Sequence, residues 1–255
     1  MIINIITGAS RGIGKEISLK MSNLDHDFLL IGGKNKFSPE ILKKKNITVK
    51  QIDFKKPNNV YIEVKKFLRE KKSSQINLIL CASQLGSFTS NKLEFELSEI
   101  SDVLNINLLG NISIIKAVSE VSNSKSRLRI VFFAGGGAAY AYPDFFGYSL
   151  SKAATVRAVE NLGIMLKKIT KDSSIIALAP GAVKTDMLSK VLKHGAFVKT
   201  VTDISEPVSF VDSFINDKIP SLEINGMFIH VRDELSKIRS KKDFNQDIFK
   251  LRRVQ

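Results

Sequence analysis

Ile2-Ile3-Asn4-Ile5-Ile6-Thr7-Gly8-Ala9-Ser10-Arg11-Gly12-Ile13-Gly14 runs from an apolar stretch straight into a turn with three glycines. An apolar run without polar alternation predicts a parallel strand buried on both faces. Glycines permit a tight turn and let backbone approach a pyrophosphate. The segment that follows, Gly14–Ser22, has helical periodicity. A helix there aims its unpaired N–H groups and positive dipole end at such a phosphate. An ordinary structural turn is the alternative, because glycine-rich turns are common. The strand before and the helix after give the phosphate loop its weight.

The same alternation continues outward along the chain. Apolar runs at Phe28–Gly32, Ile47–Ile52, Ile76–Cys81, Leu128–Phe133, Ile175–Ala179 and Met227–Val231 predict further strands. Asn58–Glu70, Ile100–Val121 and Leu150–Lys168 carry helical spacing, as in Ala154, Ala158, Leu162 and Met165. Together they predict an α/β single-domain Rossmann fold, a doubly wound seven-stranded parallel sheet with helices on both faces. No repeat, linker or composition break divides residues 1–255, and residues 232–255 read as a basic C-terminal extension. Ligands of such sheets bind at the carboxyl ends of the strands, near the switch point. Motifs at those ends therefore carry the functional weight.

Composition narrows the class. The chain has 255 residues, 44% hydrophobic and 25% charged, which suits one large globular domain. Cys81 is the only cysteine, so no internal disulfide forms. No apolar run approaches the roughly 20 residues of a membrane span, and Ile2–Ile6 is too short for a signal-peptide core. A cytoplasmic protein without a membrane span or a metal is expected. The formal net charge is +14. An anionic partner is one reading of that charge. The lysines, however, are scattered in small clusters such as Lys43–Lys45 and Lys65–Lys66, with few aromatics between them. A compositional bias fits better, and no nucleic-acid partner is expected.

Two sets of residues point to redox chemistry. NAD-specific Rossmann proteins place a carboxylate after the second strand to bind the ribose 2′-hydroxyl. This chain has Gly32-Gly33-Lys34-Asn35 there. A 2′-phosphate is attracted by Lys34 and Arg11, so NADP(H) is the expected cofactor, with solvated surface charges as the alternative. Tyr148 and Lys152 are four apart and lie on one helix face. A nearby ammonium favours the phenolate and brings a tyrosine closer to useful acid–base chemistry. Carbonyl reduction needs such a proton donor, because hydride delivery leaves an alkoxide.

Thr7-Gly8-Ala9-Ser10-Arg11-Gly12-Ile13-Gly14 resembles the T-G-x-x-x-G-x-G loop of the short-chain dehydrogenase/reductase family, and Tyr148-Ser149-Leu150-Ser151-Lys152-Ala153 resembles its Y-x-x-S-K-A motif. The resemblance spans the chain and is strongest from Ile2 to Gly14 and from Gly147 to Thr185. It implies that Gly8, Ser10, Arg11, Gly12, Ile13, Gly14 and Lys34 hold the cofactor. Asp53, ending the third strand, would touch the adenine; a turn Asp is the alternative. Cys81-Ala82-Ser83-Gln84-Leu85-Gly86 stands where the family has N-N-A-G, and Ala82 is the cofactor contact there. Asn107-Leu108-Leu109-Gly110 resembles N-L-x-G, whose Asn holds a water of the proton relay; a local kink or cap is the alternative. Pro180, Gly181, Val183 and Thr185 match P-G-x-V-x-T and would approach the nicotinamide. The resemblance makes Tyr148 the general acid. Lys152 would lower its pKa and hold the ribose, with Asn107 in support. It also implies a small-molecule carbonyl substrate, a substrate loop over Lys184–Lys199, and a homodimer or homotetramer paired through the Tyr148 helix.

The pattern breaks in one place. The family has a Ser past the fifth strand, about thirteen residues before the Tyr, that bonds the substrate carbonyl. Here the stretch is Phe133-Ala134-Gly135-Gly136-Gly137-Ala138-Ala139. It resembles the S-G-G-G-A form of a subgroup associated with bacterial surface-polysaccharide genes, with Ala134 at the Ser position. The subgroup's tail also resembles Leu251-Arg252-Arg253-Val254, where an arginine pair would bind a phosphate or form a solvated tail. Losing one oxyanion donor costs about 10²–10³ in rate. Tyr140, Tyr142 and the backbone of the glycine run are candidate replacements. The expected function is an NADPH-dependent ketone reductase acting on a keto-sugar or 3-oxoacyl-type substrate. The alternative is a catalytically impaired NADP(H)-binding sensor or scaffold.

Overall fold

The computed structural model describes residues 1–69, 71–89, 95–195, 198, 200–235 and 249–251. The strands are β1 (Ile2–Thr7), β2 (Asp27–Gly32), β3 (Ile47–Gln51), β4 (Gln75–Leu80), β5 (Arg127–Phe133), β6 (Ser173–Ala179), β7 (Ala182–Val183), β8 (Val201–Thr202) and β9 (Phe228–His230). The helices are α1 (Gly12–Met21), α2 (Pro39–Leu42), α3 (Pro57–Arg69), α4 (Leu97–Leu104), α5 (Gly110–Ser119), α6 (Phe146–Leu166), α7 (Asp186–Lys193) and α8 (Ser205–Ile215). A seven-stranded sheet has the order β3-β2-β1-β4-β5-β6-β9 with every pairing parallel, and β7 and β8 form a small separate pair. The strand order reverses beside β1, which places the switch point between β1 and β4.

Period-two alternation sorts the strand residues onto two cores. Ile130 and Phe132 of β5 pack on one face with Val60, Val64 and Val156. Val131 and Phe133 pack on the other with Ile17, Val211 and Phe214. Both faces of the central strands are buried, which is why they read as unbroken apolar runs. The segment expected as one helix over Ile100–Val121 is instead α4, a π-helical turn at Asn105–Leu109, and α5. Such turns cluster at functional sites. The helix that carries Tyr148 starts at Phe146, earlier than the expected Leu150, directly after a 3₁₀ turn at Pro143–Phe145.

One row of the sheet is polar. Asn4, Asn77 and Arg129 are neighbours in register across β1, β4 and β5, and all are buried. Asn77 donates to Asn4 Oδ1 at 2.8 Å. Arg129 donates to Asp172 Oδ1 at 2.7 Å and to Asp217 at 2.8 and 2.9 Å. This cluster closes the amino end of the sheet. No helix of the described residues is long and apolar enough to cross a membrane.

Candidate active site

The carboxyl ends of the strands open into a cavity of about 1480 Å³. Every residue expected at the cofactor site lines it: Gly8, Ser10, Arg11, Gly12, Ile13, Gly14, Lys34, Asp53, Ala82, Tyr148, Lys152, Pro180, Gly181, Val183 and Thr185. Asn107 is buried behind the wall.

The glycine turn leaves no room for side chains. Gly8 and Gly12 have φ of 63° and 53°, a region that favours glycine. A Cβ on Gly14 would lie 2.5 Å from the Gly8 carbonyl oxygen. No side chain caps α1, and its first turn holds no acidic residue. The orphan N–H groups of that turn are therefore not met by the chain's own carboxylates. A diphosphate fits this cradle. The wall opposite is tied down by Thr7, whose hydroxyl donates to Asn111 Oδ1 and accepts from the Ala82 N–H, both at 2.9 Å.

Lys34 lies past the end of β2, exposed on the cavity rim with no carboxylate in Gly32-Gly33-Lys34-Asn35. Arg11 shares the rim, 3.9 Å from Asp186, a carboxylate the motif reading did not pair with it. Asp53 lines the cavity and also accepts the Lys55 N–H at 3.0 Å, so both readings of that residue are visible. Gly181 has φ of 73°, and a Cβ there would sit 2.1 Å from Thr202 Oγ1. Thr185 caps α7, accepting from the Leu188 N–H at 3.5 Å.

Tyr148 and Lys152 come together as expected, with Nζ 5.4 Å from the phenol ring centroid. Their electrostatics differ from the expectation. Lys152 is 2% exposed and donates to the Phe133 carbonyl oxygen at 2.8 Å. Burial lowers its pKa to about 8, against a smaller opposing effect of Cys81. Burial also pushes the Tyr148 phenol up, with Tyr142 adding to the effect. The Tyr148 shift is therefore upward, opposite to the lowering expected from Lys152, with burial as its largest cause. The Cys81 thiol is likewise raised by burial.

Asn107 lies within the π-helical turn. Its amide donates to the Gln84 carbonyl and to Ser151 Oγ, both at 2.9 Å, and accepts the Gln84 N–H at 2.8 Å. Ser151 Oγ in turn donates to the Tyr148 carbonyl oxygen at 2.6 Å. Both N–H groups and one lone pair of Asn107 are thus occupied by protein. The side chain joins the loop after β4 to the helix that carries Tyr148. Asn111 does similar work and was not singled out in the sequence. Its amide donates to the carbonyl oxygens of Ala82 at 3.1 Å and of Ile106 and Asn107 at 3.2 Å. The available signal was an Asn directly after Asn107-Leu108-Leu109-Gly110, next to the apolar Ile112, Ile114 and Ile115.

The stretch 134–139 after β5 holds no hydroxyl side chain. Ala134 is 4% exposed, packs into the core and also lines the cavity. The position facing the phenol is Gly135, where a Cβ would lie 2.8 Å from Tyr148 Oη. Arg252, Arg253 and parts of the Lys184–Lys199 loop (196, 197 and 199) lie outside the described residues, as does most of 232–255. Arg232 bonds Glu206 at 3.1 Å, and Leu251 donates from its N–H to Glu160 at 2.7 Å.

The chain is similar to proteins of known activity. The 3-oxoacyl-[acyl-carrier-protein] reductase FabG of Staphylococcus aureus is 28% identical over 244 residues, covering 89% of this chain and 95% of that one. Dehydrogenase RED2 of Cochliobolus heterostrophus is 27% identical over 168 residues, 65% of this chain and 61% of that protein's length. Among solved structures, 4-hydroxyisoleucine dehydrogenase complexed with NADH superposes with a TM-score of 0.74 at 19% identity, covering 90% of this chain and 96% of that one. A short chain dehydrogenase from Burkholderia cenocepacia in complex with NADP gives 0.69 at 19% identity, covering 89% and 94%. These structures share the fold. The sequence profile of the short chain dehydrogenases matches residues 3–195, well over half the chain. With that match added to the sheet order and the Tyr148–Lys152 pair, the chain belongs to the short chain dehydrogenase family.

Proposed function

We propose that the protein is an NADPH-dependent ketone reductase with Tyr148 as general acid, acting on a 3-oxoacyl-type substrate. The observation that carries this reading is one cavity joining a glycine cradle, whose helix has no carboxylate in its first turn, to the Tyr148–Lys152 pair. When bound, the reduced nicotinamide supplies a hydride to the carbonyl carbon. Tyr148 gives its proton to the carbonyl oxygen. Lys152 holds the ribose and steadies the phenolate that remains. Asn107 positions the start of α6 through Ser151. Lys34 and Arg11 favour a 2′-phosphate at the other end.

The substrate class follows from the lining. Met187, Leu188 and Val191 of α7 give the cavity an apolar wall, and the cationic residues among its described lining are Arg11, Lys34, Lys55 and Lys152. Arg11, Lys34 and Lys55 belong to the nucleotide end and Lys152 is buried. A keto-sugar, implied by the resemblance to polysaccharide-associated reductases, presents hydroxyls that this apolar wall does not match. An acyl chain does. The similarity to 3-oxoacyl reductases supports the same choice.

The test has two parts. Fluorescence titration is expected to show micromolar NADPH binding, weaker NADH binding, and loss of the difference in Arg11→Ala/Lys34→Ala. Turnover of a 3-oxoacyl thioester is expected to fall about 10²–10⁴-fold in Tyr148→Phe with NADPH affinity unchanged. Equal turnover in that variant refutes the acid assignment. Tight NADPH binding with no ketone turned over points to the sensor or scaffold.

A further inference from the structure

Gly135 faces the Tyr148 phenol without a hydroxyl of its own, and Tyr142 brings one to the same cavity. Tyr142 lines the same cavity as Tyr148 and is half-buried. Its ring is held against Phe145, centroids 5.4 Å apart at 50°. Phe145 is itself buried and packs edge-on against Phe88 at 5.9 Å. This gives the Tyr142 ring a fixed seat at the start of α6. Tyr140, the other candidate, is 79% exposed. A hydrogen bond from solvated Tyr140 would compete with water, whereas a half-buried donor is stronger. Among the described residues no protein group bonds the Tyr142 or the Tyr148 hydroxyl, so both are available to a ligand. Burial and Asp144 raise the Tyr142 phenol, which keeps it protonated and a donor at neutral pH.

We infer that Tyr142 is a second catalytic hydroxyl, replacing the family's serine by donating a hydrogen bond to the substrate oxygen while Tyr148 delivers the proton. This rests on the reductase reading above. The C=O π bond breaks, a C–H bond forms with the hydride of the reduced nicotinamide, and an O–H bond forms with the Tyr148 proton. Tyr142 keeps its own proton throughout. Its hydrogen bond strengthens as charge develops on the oxygen, which is the condition for raising kcat rather than tightening substrate binding. Gly135 is part of the same arrangement, because a side chain there would push on Tyr148 Oη.

The experiment compares Tyr142→Phe, Tyr140→Phe and Tyr148→Phe with the parent protein, using NADPH and an acetoacetyl thioester. Tyr142→Phe retains the ring on Phe145, so a stable fold is expected. Its kcat should fall about 10²-fold, with KM and the NADPH dissociation constant by fluorescence within about threefold. Tyr140→Phe should lose less than about threefold in kcat. Parental kcat in Tyr142→Phe, alongside loss in Tyr148→Phe, overturns this inference alone. So does a loss confined to KM, which would make Tyr142 a binding contact. A parent that turns over no ketone, or a Tyr148→Phe protein as fast as the parent, overturns the reductase reading and this inference with it.

Discussion

Arg129, within the sheet on β5, and Lys152, on α6 beside the sheet's carboxyl end, are both buried cations, and they are handled in opposite ways. Arg129, at the amino end, is 1% exposed and meets two carboxylates, Asp172 and Asp217, within 2.9 Å. Its charge is matched and fixed. Lys152, at the carboxyl end, is 2% exposed, donates to a carbonyl oxygen at 2.8 Å and meets no carboxylate among the described residues. Its charge is unmatched, and its pKa falls to about 8. One buried cation is given counter-charges, while the other is left able to change, as the proposed reductase role of Lys152 requires. One end of the sheet therefore carries stability, and the other gives some up.

The largest test of this contrast is at the locked end. Asp217→Ala leaves Arg129 buried with Asp172 alone and is expected to cost about 3 kcal/mol in urea unfolding, with kcat unchanged. Asp217 has φ of 53°, which Asn tolerates better than Ala, so Asp217→Asn should cost less and isolate the charge. Burial alone would raise the Asp217 carboxyl, but the hydrogen bond and charge of Arg129, with Arg127, outweigh it and hold it low. A lowered carboxylate stabilises above its unfolded pKa of about 3.9 and ceases to as pH falls through its folded value. The gap between parent and Asp217→Asn should therefore shrink on acidification below about pH 4. A gap that persists there would show that shape, not charge, holds the amino end.

The second test reverses the sign. An ammonium whose pKa drops from 10.5 to about 8 costs about 3 kcal/mol at neutral pH. Lys152→Met removes that cost but leaves the Phe133 carbonyl unpaired, at about 1–2 kcal/mol. A net gain of about 1–2 kcal/mol at pH 7 is expected, together with loss of turnover. The folded pKa is depressed, so the parent recovers stability as pH rises from about 8 to 10.5, and the gain should vanish across that window. Lys152→Met that destabilises at pH 7 would mean the two cations are not differently handled.

Much of this division was legible in the sequence. The apolar runs marked the strands because both faces of β1, β4, β5 and β6 are covered, and the glycine turn marked the cradle because backbone alone fits there. The polar row was not legible. Asn4, Asn77 and Arg129 sit in strands that read as apolar, and their partners Asp172 and Asp217 come from distant loops. The same is true of the site's support. Asn107 and Ser151 are 44 residues apart, and only the π-helical turn brings the amide to that hydroxyl. The motif predicted Lys152 as an influence on Tyr148, but burial, a property of the folded surroundings, decides both pKa values. That a Cβ on Gly135 would press on the phenol was not legible either, because it depends on how the chain turns after β5.

The smallest effect concerns how the open end is closed. His194 caps the end of α7 and stacks on Phe88, with centroids 4.2 Å apart and rings 9° from parallel. Phe145 packs edge-on against both rings, at 5.9 Å from each. These contacts fasten the helix that supplies the apolar wall to the segment that carries Tyr142. An aromatic contact of this kind is worth about 1 kcal/mol. His194→Ala should therefore leave global stability nearly unchanged, since α7 has no buried residue of its own. The loss should appear in KM, rising about fivefold as the wall loosens, with kcat within about twofold. If urea unfolding shifted and KM did not, α7 would belong with the amino end as part of the fixed structure. A shift in KM alone would make the aromatic clasp the element through which the carboxyl end trades rigidity for access.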